Sequence, residues 1–149
     1  DLYVTIGLKE APIVGTYSYC QPFYSEEEGR EHICEAVLIV IACNPHTEDF
    51  MEAINLLSLS HELIHARQYD KNQLYVVGVT HEEVAILCWN GETKYGPHGI
   101  YHFSDPSREE YLALPWEKEA YGLQKQIADE WFDYNFALTI ASQQGGVTA

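Results

Sequence analysis

From Ala36 to Cys43 every position is apolar (Ala-Val-Leu-Ile-Val-Ile-Ala-Cys), and the run stops at Asn44-Pro45. An unbroken apolar run of strand length, rich in β-branched residues, predicts a strand covered on both faces. The period then changes. Phe50, Ile54, Leu57, His61, Ile64 and Gln68 recur at spacings of four and three, the repeat of one helix face, after Thr47 as N-cap and the acids Glu48 and Asp49. This pattern predicts a helix of about twenty residues, closed by Lys71-Asn72.

Elsewhere the patterns are shorter. Leu2 to Ile6 and Ile13 to Tyr19 read as strands, punctuated by Gly7, Pro12, Gly15 and Pro22, and Leu74 to Val79 reads as another. Thr80-His81-Glu82-Glu83 has the form of a capping box before Val84 to Leu87, so a short helix is expected there, stopped by Asn90-Gly91. Glu92 to Glu110 is dense in glycine, proline and histidine and reads as a long loop, a kind of segment that tends to be functional. Pro115 opens a second long helical pattern through Ala120, Leu123, Ile127 and Trp131 towards Ala141, ended by Gly145-Gly146. No repeat, low-complexity tract or linker interrupts this order. The expected fold is α+β, one domain over residues 1–149, with a small mixed sheet packed on the first long helix and on the C-terminal one.

Composition narrows the function classes. The chain has 149 residues, 46% of them apolar, enough for one core, and no apolar stretch approaches the length that spans a bilayer. Twenty-three acids against eight bases give a net charge of -15, which repels phosphate backbones and anionic lipid. Nucleic acid is therefore excluded as an expected partner; the same field favours cationic peptides, although solubility alone accounts for it. Cys20, Cys34, Cys43 and Cys88 lack C-x-x-C spacing, so neither a zinc ribbon nor a thioredoxin-like motif is present, and bridges and buried thiols both remain open. Asp1 opens the chain with neither Met nor leader, which reads as a processed or trimmed start, and an extracellular setting is slightly favoured over a cytoplasmic one.

The chemistry lies in the first helix. His61-Glu62-Leu63-Ile64-His65 is an H-E-x-x-H motif; residues four apart share a helix face, so both imidazoles can reach one zinc while Glu62 flanks it as general base. With seven histidines and seventeen glutamates the motif would arise by accident with a probability of roughly 4%, and its place inside an amphipathic helix after a buried strand also argues against accident. Catalytic zinc sites take three protein ligands and water. A third histidine six positions after His65 would fall at Lys71, which rules it out, so a carboxylate from a second helix is needed. Pro115-Trp116-Glu117-Lys118-Glu119-Ala120-Tyr121 offers Glu117 and Glu119, both also readable as ordinary first-turn acids. Glu117 is in line with Ala120, Gln124, Ile127 and Trp131 and should turn inward with that stripe.

These residues resemble a family. The passage from a strand into His61-Glu62-Leu63-Ile64-His65-Ala66-Arg67-Gln68, followed by Glu117-x-x-Ala120-Tyr121, is similar to the glutamate-zincins, especially the minimal forms called minigluzincins. The resemblance covers about a third of the chain, residues 36–70 and 114–128. It implies zinc-dependent peptide hydrolysis, one zinc per chain, Glu117 as third ligand with Glu119 as fallback, and a peptide or protein substrate. It also suggests that the run 36–43 edges the cleft, where an exposed edge would bind substrate by strand addition. At Tyr121 the chain departs from the clan, which often has Asp or Asn there to brace a zinc-bound histidine. Tyr121, His98, Tyr101 and His102 are the candidates for stabilising the transition state, each more ordinarily structural or solvent-exposed. Arg67 and Asp70 read as surface ion pairs or braces. The alternative function is a zinc-binding regulatory or partner-binding domain of the same shape with little turnover.

Overall fold

The computed structural model of the chain describes residues 2–10, 18–43, 53–79, 85–95 and 108–144. Among these the architecture is mixed α+β, with three helices and two small sheets where a single sheet was expected.

The first sheet has the order β1 (Tyr3–Glu10), β3 (Cys34–Cys43), β2 (Tyr19–Tyr24), with β1 parallel and β2 antiparallel to β3. The apolar run is therefore the central strand. From Ala36 to Val40 its backbone is paired on both sides, so over that stretch the expectation that the run edges a cleft is overturned: no free row of N–H and C=O groups is left there for an incoming peptide. Strand alternation aims Val37, Ile39 and Ile41 at one face, where all three are buried. The other face is more open, with Leu38 half-buried and the flanking Tyr3, Tyr19 and Phe23 exposed, so the expected cover on both faces is complete on only one. Pro22, read from sequence as punctuation, sits inside β2 opposite Val37; a sheet edge tolerates a residue without N–H. Of the expected strand 13–19, residues 13–17 lie outside the described residues.

Helix α1 (Ala53–Asp70) carries the motif; the proposed cap at Thr47 lies outside the described residues. Its C-terminus is closed by the Asn72 N–H on the Tyr69 carbonyl (3.0 Å) and the Gln73 N–H on the Gln68 carbonyl (2.9 Å). Asn72 stands at φ 53°, the left-handed turn that frees those carbonyls from an abrupt end. Ala66 and Tyr69 pack with Val37, Ile39 and Ile41, with Leu59 and Leu63 at the margin.

The second sheet is an antiparallel meander of β4 (Leu74–Val79), β5 (Ala85–Trp89) and β6 (Glu92–Tyr95). This corrects the short helix expected through Leu87. Asn90 and Gly91 both have positive φ (47° and 86°) between the paired Trp89 and Glu92, a two-residue hairpin turn and not a helix stop. Asn-Gly between apolar runs is the strongest short hairpin signal, and it outweighs the capping-box reading of Thr80 to Glu83, which lies outside the described residues. The expected loop 92–110 likewise gives up its first four residues to β6 and its last three to α2 (Arg108–Ala113). The two sheets are tied where the Val76 N–H donates to the Tyr24 hydroxyl (2.8 Å).

Helix α3 (Pro115–Gln144) is separated from the end of α2 by Leu114 alone. Pro115 has no N–H and disfavours helical backbone at Leu114, which separates the two helices. The Leu114 carbonyl accepts from Lys118 N–H (2.9 Å), making Pro115 the first helical residue and Glu117 the third. Trp116 is buried, its ring 6.3 Å from that of Trp89, so the start of α3 is fixed by the second sheet. The inward stripe does not run as far as expected. Glu117, Ala120 and Ala128 are buried, whereas Trp131 is 41% exposed.

Candidate metal centre

The four-residue spacing in α1 stacks His61 and His65, and the first turn of α3 delivers Glu117 across from them. All three are buried and form a group able to hold a metal ion. The His61 and His65 Nε2 atoms are 3.1 Å apart; Glu117 Oε2 is 3.2 Å from the first and Glu117 Oε1 3.4 Å from the second. A tetrahedral ion bound at about 2.05 Å holds its ligand atoms about 3.3 Å apart, and these separations are of that size, with each carboxylate oxygen nearest a different ring.

The orientation of the rings supports the same reading. The Gln68 amide N–H₂ donates to the Trp116 carbonyl (3.1 Å) and to Glu119 Oε2 (2.8 Å), neither of which can donate in return. Its other atom, Oε1, therefore accepts at 2.8 Å from His65 Nδ1, which must carry the hydrogen. Gln124 Oε1 stands 3.0 Å from His61 Nδ1, where an amide oxygen as acceptor favours hydrogen on that nitrogen too. Each neutral ring then presents a bare Nε2 lone pair to the other and to a carboxylate. Glu117 Oε2 lies at ion-pair distance from His61 but receives no directed hydrogen bond and is buried. Converging lone pairs and an orphaned buried oxygen are unfavourable unless positive charge sits among them, either a metal ion or, in the metal-free protein, a proton on a ring Nε2.

The electrostatics follow from the packing. Burial alone would push the Glu117 carboxyl up, but the close approach of His61 and His65 outweighs it and carries the pKa down to about 2. Burial likewise opposes charge on His65, yet Glu117 and Glu62 hold its pKa above the ordinary value. Glu62 is 6% exposed, and burial raises its carboxyl, with His65 and His61 pulling the other way. It is a carboxylate of enhanced basicity beside the histidine pair.

Glu119, the fallback ligand, is turned elsewhere: Oε1 pairs with Arg67 (2.7 Å) and Oε2 takes the Gln68 amide. Arg67 is thus a brace between α1 and α3. Tyr121 lies against the centre, its ring 4.5 Å from that of His61, and is 43% exposed. His98, Tyr101 and His102 lie outside the described residues. Sequence reasoning missed Tyr111, on α2, whose hydroxyl bonds Glu117 and whose pKa is raised by burial and that carboxylate. It also missed the bracing amides. Gln68 and Gln124 were visible only as polar residues on otherwise apolar stripes, a signal that a partner waited inside. Cys20, Cys34 and Cys88 are free thiols; burial raises the Cys20 thiol, with Glu62 nearby adding to the effect.

No protein-family model, no curated protein and no solved structure matches the chain. Among the described residues no helix is long and apolar enough to cross a membrane.

Proposed function

We propose that the chain is a zinc-dependent metallopeptidase of gluzincin type that hydrolyses peptide bonds in a peptide or protein substrate. The observation that carries this reading is the buried convergence of both Nε2 atoms and the Glu117 carboxylate, within 3.1 to 3.4 Å of one another at the nearest atoms, with the buried Glu62 of raised pKa beside them. Two imidazoles and one carboxylate suit zinc, which when bound supplies Lewis-acid polarisation and an acidic water ligand.

The chain's own residues have separate tasks. His61, His65 and Glu117 would hold the ion. Glu62 accepts the proton of the attacking water and returns it to the leaving amine. Tyr121, whose ring lies against that of His61 and is partly open to solvent, would stabilise the developing oxyanion through its hydroxyl. The zincin-like packing belongs to this proposal: α1 lies between the first sheet and α3, so one side of the helix is anchored while the other meets the third ligand.

The test is zinc stoichiometry and hydrolysis of a mixed peptide library by wild type and Glu62→Gln. The variant should keep one zinc per chain and lose about 10²- to 10⁴-fold in rate, since Gln keeps the volume and removes the basicity. Equal rates would assign the hydrolysis to another site or a contaminant.

A further inference from the structure

Both imidazoles of the centre are gripped at Nδ1 by glutamines from different helices: His65 by Gln68 of α1, His61 by Gln124 of α3. Outer partners fix which ring nitrogen is free for metal, and an anionic partner also raises the basicity of the ligand. An amide oxygen does the first without supplying the charge that does the second.

We propose, resting on the metal-centre reading above, that Gln68 and Gln124 are positioning residues: they lock both ligand histidines in the tautomer that presents Nε2 and, being uncharged, keep Glu117 the only anionic member of the ligand set. The two differ in how firmly they are held. Gln68 is fully buried, and all of its polar atoms are used: Oε1 on His65, Nε2 on the Trp116 carbonyl and on Glu119, which Arg67 holds in turn. The amide cannot flip without setting N–H groups against His65 and its oxygen against two acceptors. Through it His65 is tied to the turn of α3 that carries Glu117, and Glu119 is kept to the outer side. Gln124 is half-buried, two helical turns beyond Glu117, and meets His61 from the opposite helix.

Tautomer and metal affinity are read separately. In the metal-free protein, nitrogen-15 NMR of the imidazoles should show hydrogen on Nδ1 of both rings when neutral. Gln124→Met should release His61 from that tautomer and weaken zinc binding about 10- to 100-fold. Gln124→Glu, with an anionic acceptor in the same place, should keep the tautomer and tighten zinc, a direction that a merely structural role would not produce. Gln68→Met should do to His65 what Gln124→Met does to His61; if it does not fold, the half-buried Gln124 pair decides. The proposal is overturned if His61 keeps its tautomer and zinc affinity stays within about twofold in Gln124→Met, or if Gln124→Glu weakens zinc as much as Gln124→Met. A protein with these tautomers and full zinc that cleaves no peptide would overturn the peptidase reading and leave this one standing.

Discussion

Towards the first sheet, α1 buries Ala66 and Tyr69 against Val37, Ile39 and Ile41, and the contact is almost wholly apolar. Towards α3 the same helix buries His61, His65 and Gln68 against Glu117, Gln124 and the Trp116 carbonyl. The apolar side needs only shape and area, worth about 1.5 to 3 kcal/mol per large side chain. The polar side must match donor to acceptor, and it does so outward from the centre: each Nδ1 and both Gln68 amide interactions are satisfied, while the innermost atoms are left facing one another. That imbalance marks the polar side as a site and the apolar side as its support.

Mutations should separate the two sides. The largest effect is expected for Glu117→Ala, which should lower zinc affinity by more than the roughly 100-fold upper range for outer partners. With zinc at 1,000 times its dissociation constant the wild type gains about 4 kcal/mol of stability, and that increment should vanish in the variant. Glu119→Ala should retain most of the increment, because its oxygens contact Arg67 and Gln68 and not the centre. Calorimetric titration of both proteins checks this, and selective loss in Glu119→Ala would exchange the roles of the two acids.

On the apolar side, Ile39→Val should cost about 0.5 to 1.5 kcal/mol through one missing methylene. Ile39 is fully buried in the sheet core, so the cost should be equal with and without zinc. Urea unfolding in chelator and in excess zinc measures both, and a zinc-dependent difference would mean that the two sides of α1 are coupled.

The smallest expected effect is the pH dependence of the metal-free protein. The lowered Glu117 pKa contributes stability above the ordinary 4.5 that is lost as pH falls towards about 2. The raised His65 pKa contributes stability below the ordinary 6.5 that is lost as pH rises through the folded value. Both contributions are present together between about pH 4.5 and 6.5. Zinc bound at the centre should reverse the alkaline limb, since proton and metal would compete for the same Nε2 and binding would strengthen as pH rises. Unfolding midpoints at pH 5.5 and 8 should therefore diverge between chelated and zinc-loaded protein, and parallel behaviour would remove the lone-pair argument. Glu117→Gln should flatten the metal-free slope.

Much of the support was legible in the sequence because it is local. The 36–43 run, the α1 and α3 periodicities and the Asn72 stop each depend on neighbours within a few residues, where backbone geometry allows few choices. The second sheet was misread for a local reason as well: two short-range signals competed around Leu87, and Asn90-Gly91 was assigned to a helix end when it is a hairpin turn. The polar side was half legible. His61 and His65 share a face by arithmetic alone, and Glu117 could be narrowed only to one of two acids.

The sequence by itself determined that a pair of imidazoles would stand one helical turn apart with a carboxylate beside them, because helix pitch is fixed by the backbone and needs no partner. Only the tertiary structure decided that Glu117 faces that pair while Glu119 is held by Arg67 and Gln68, that residues 36–40 are enclosed by two strands, and that Tyr111, Gln68 and Gln124 lie about the same centre. These outcomes depend on how α3 meets α1 and on which strands flank β3. Both are set by non-local packing, with Trp116 seated near Trp89 and Ala120 buried, for which no local spacing rule exists.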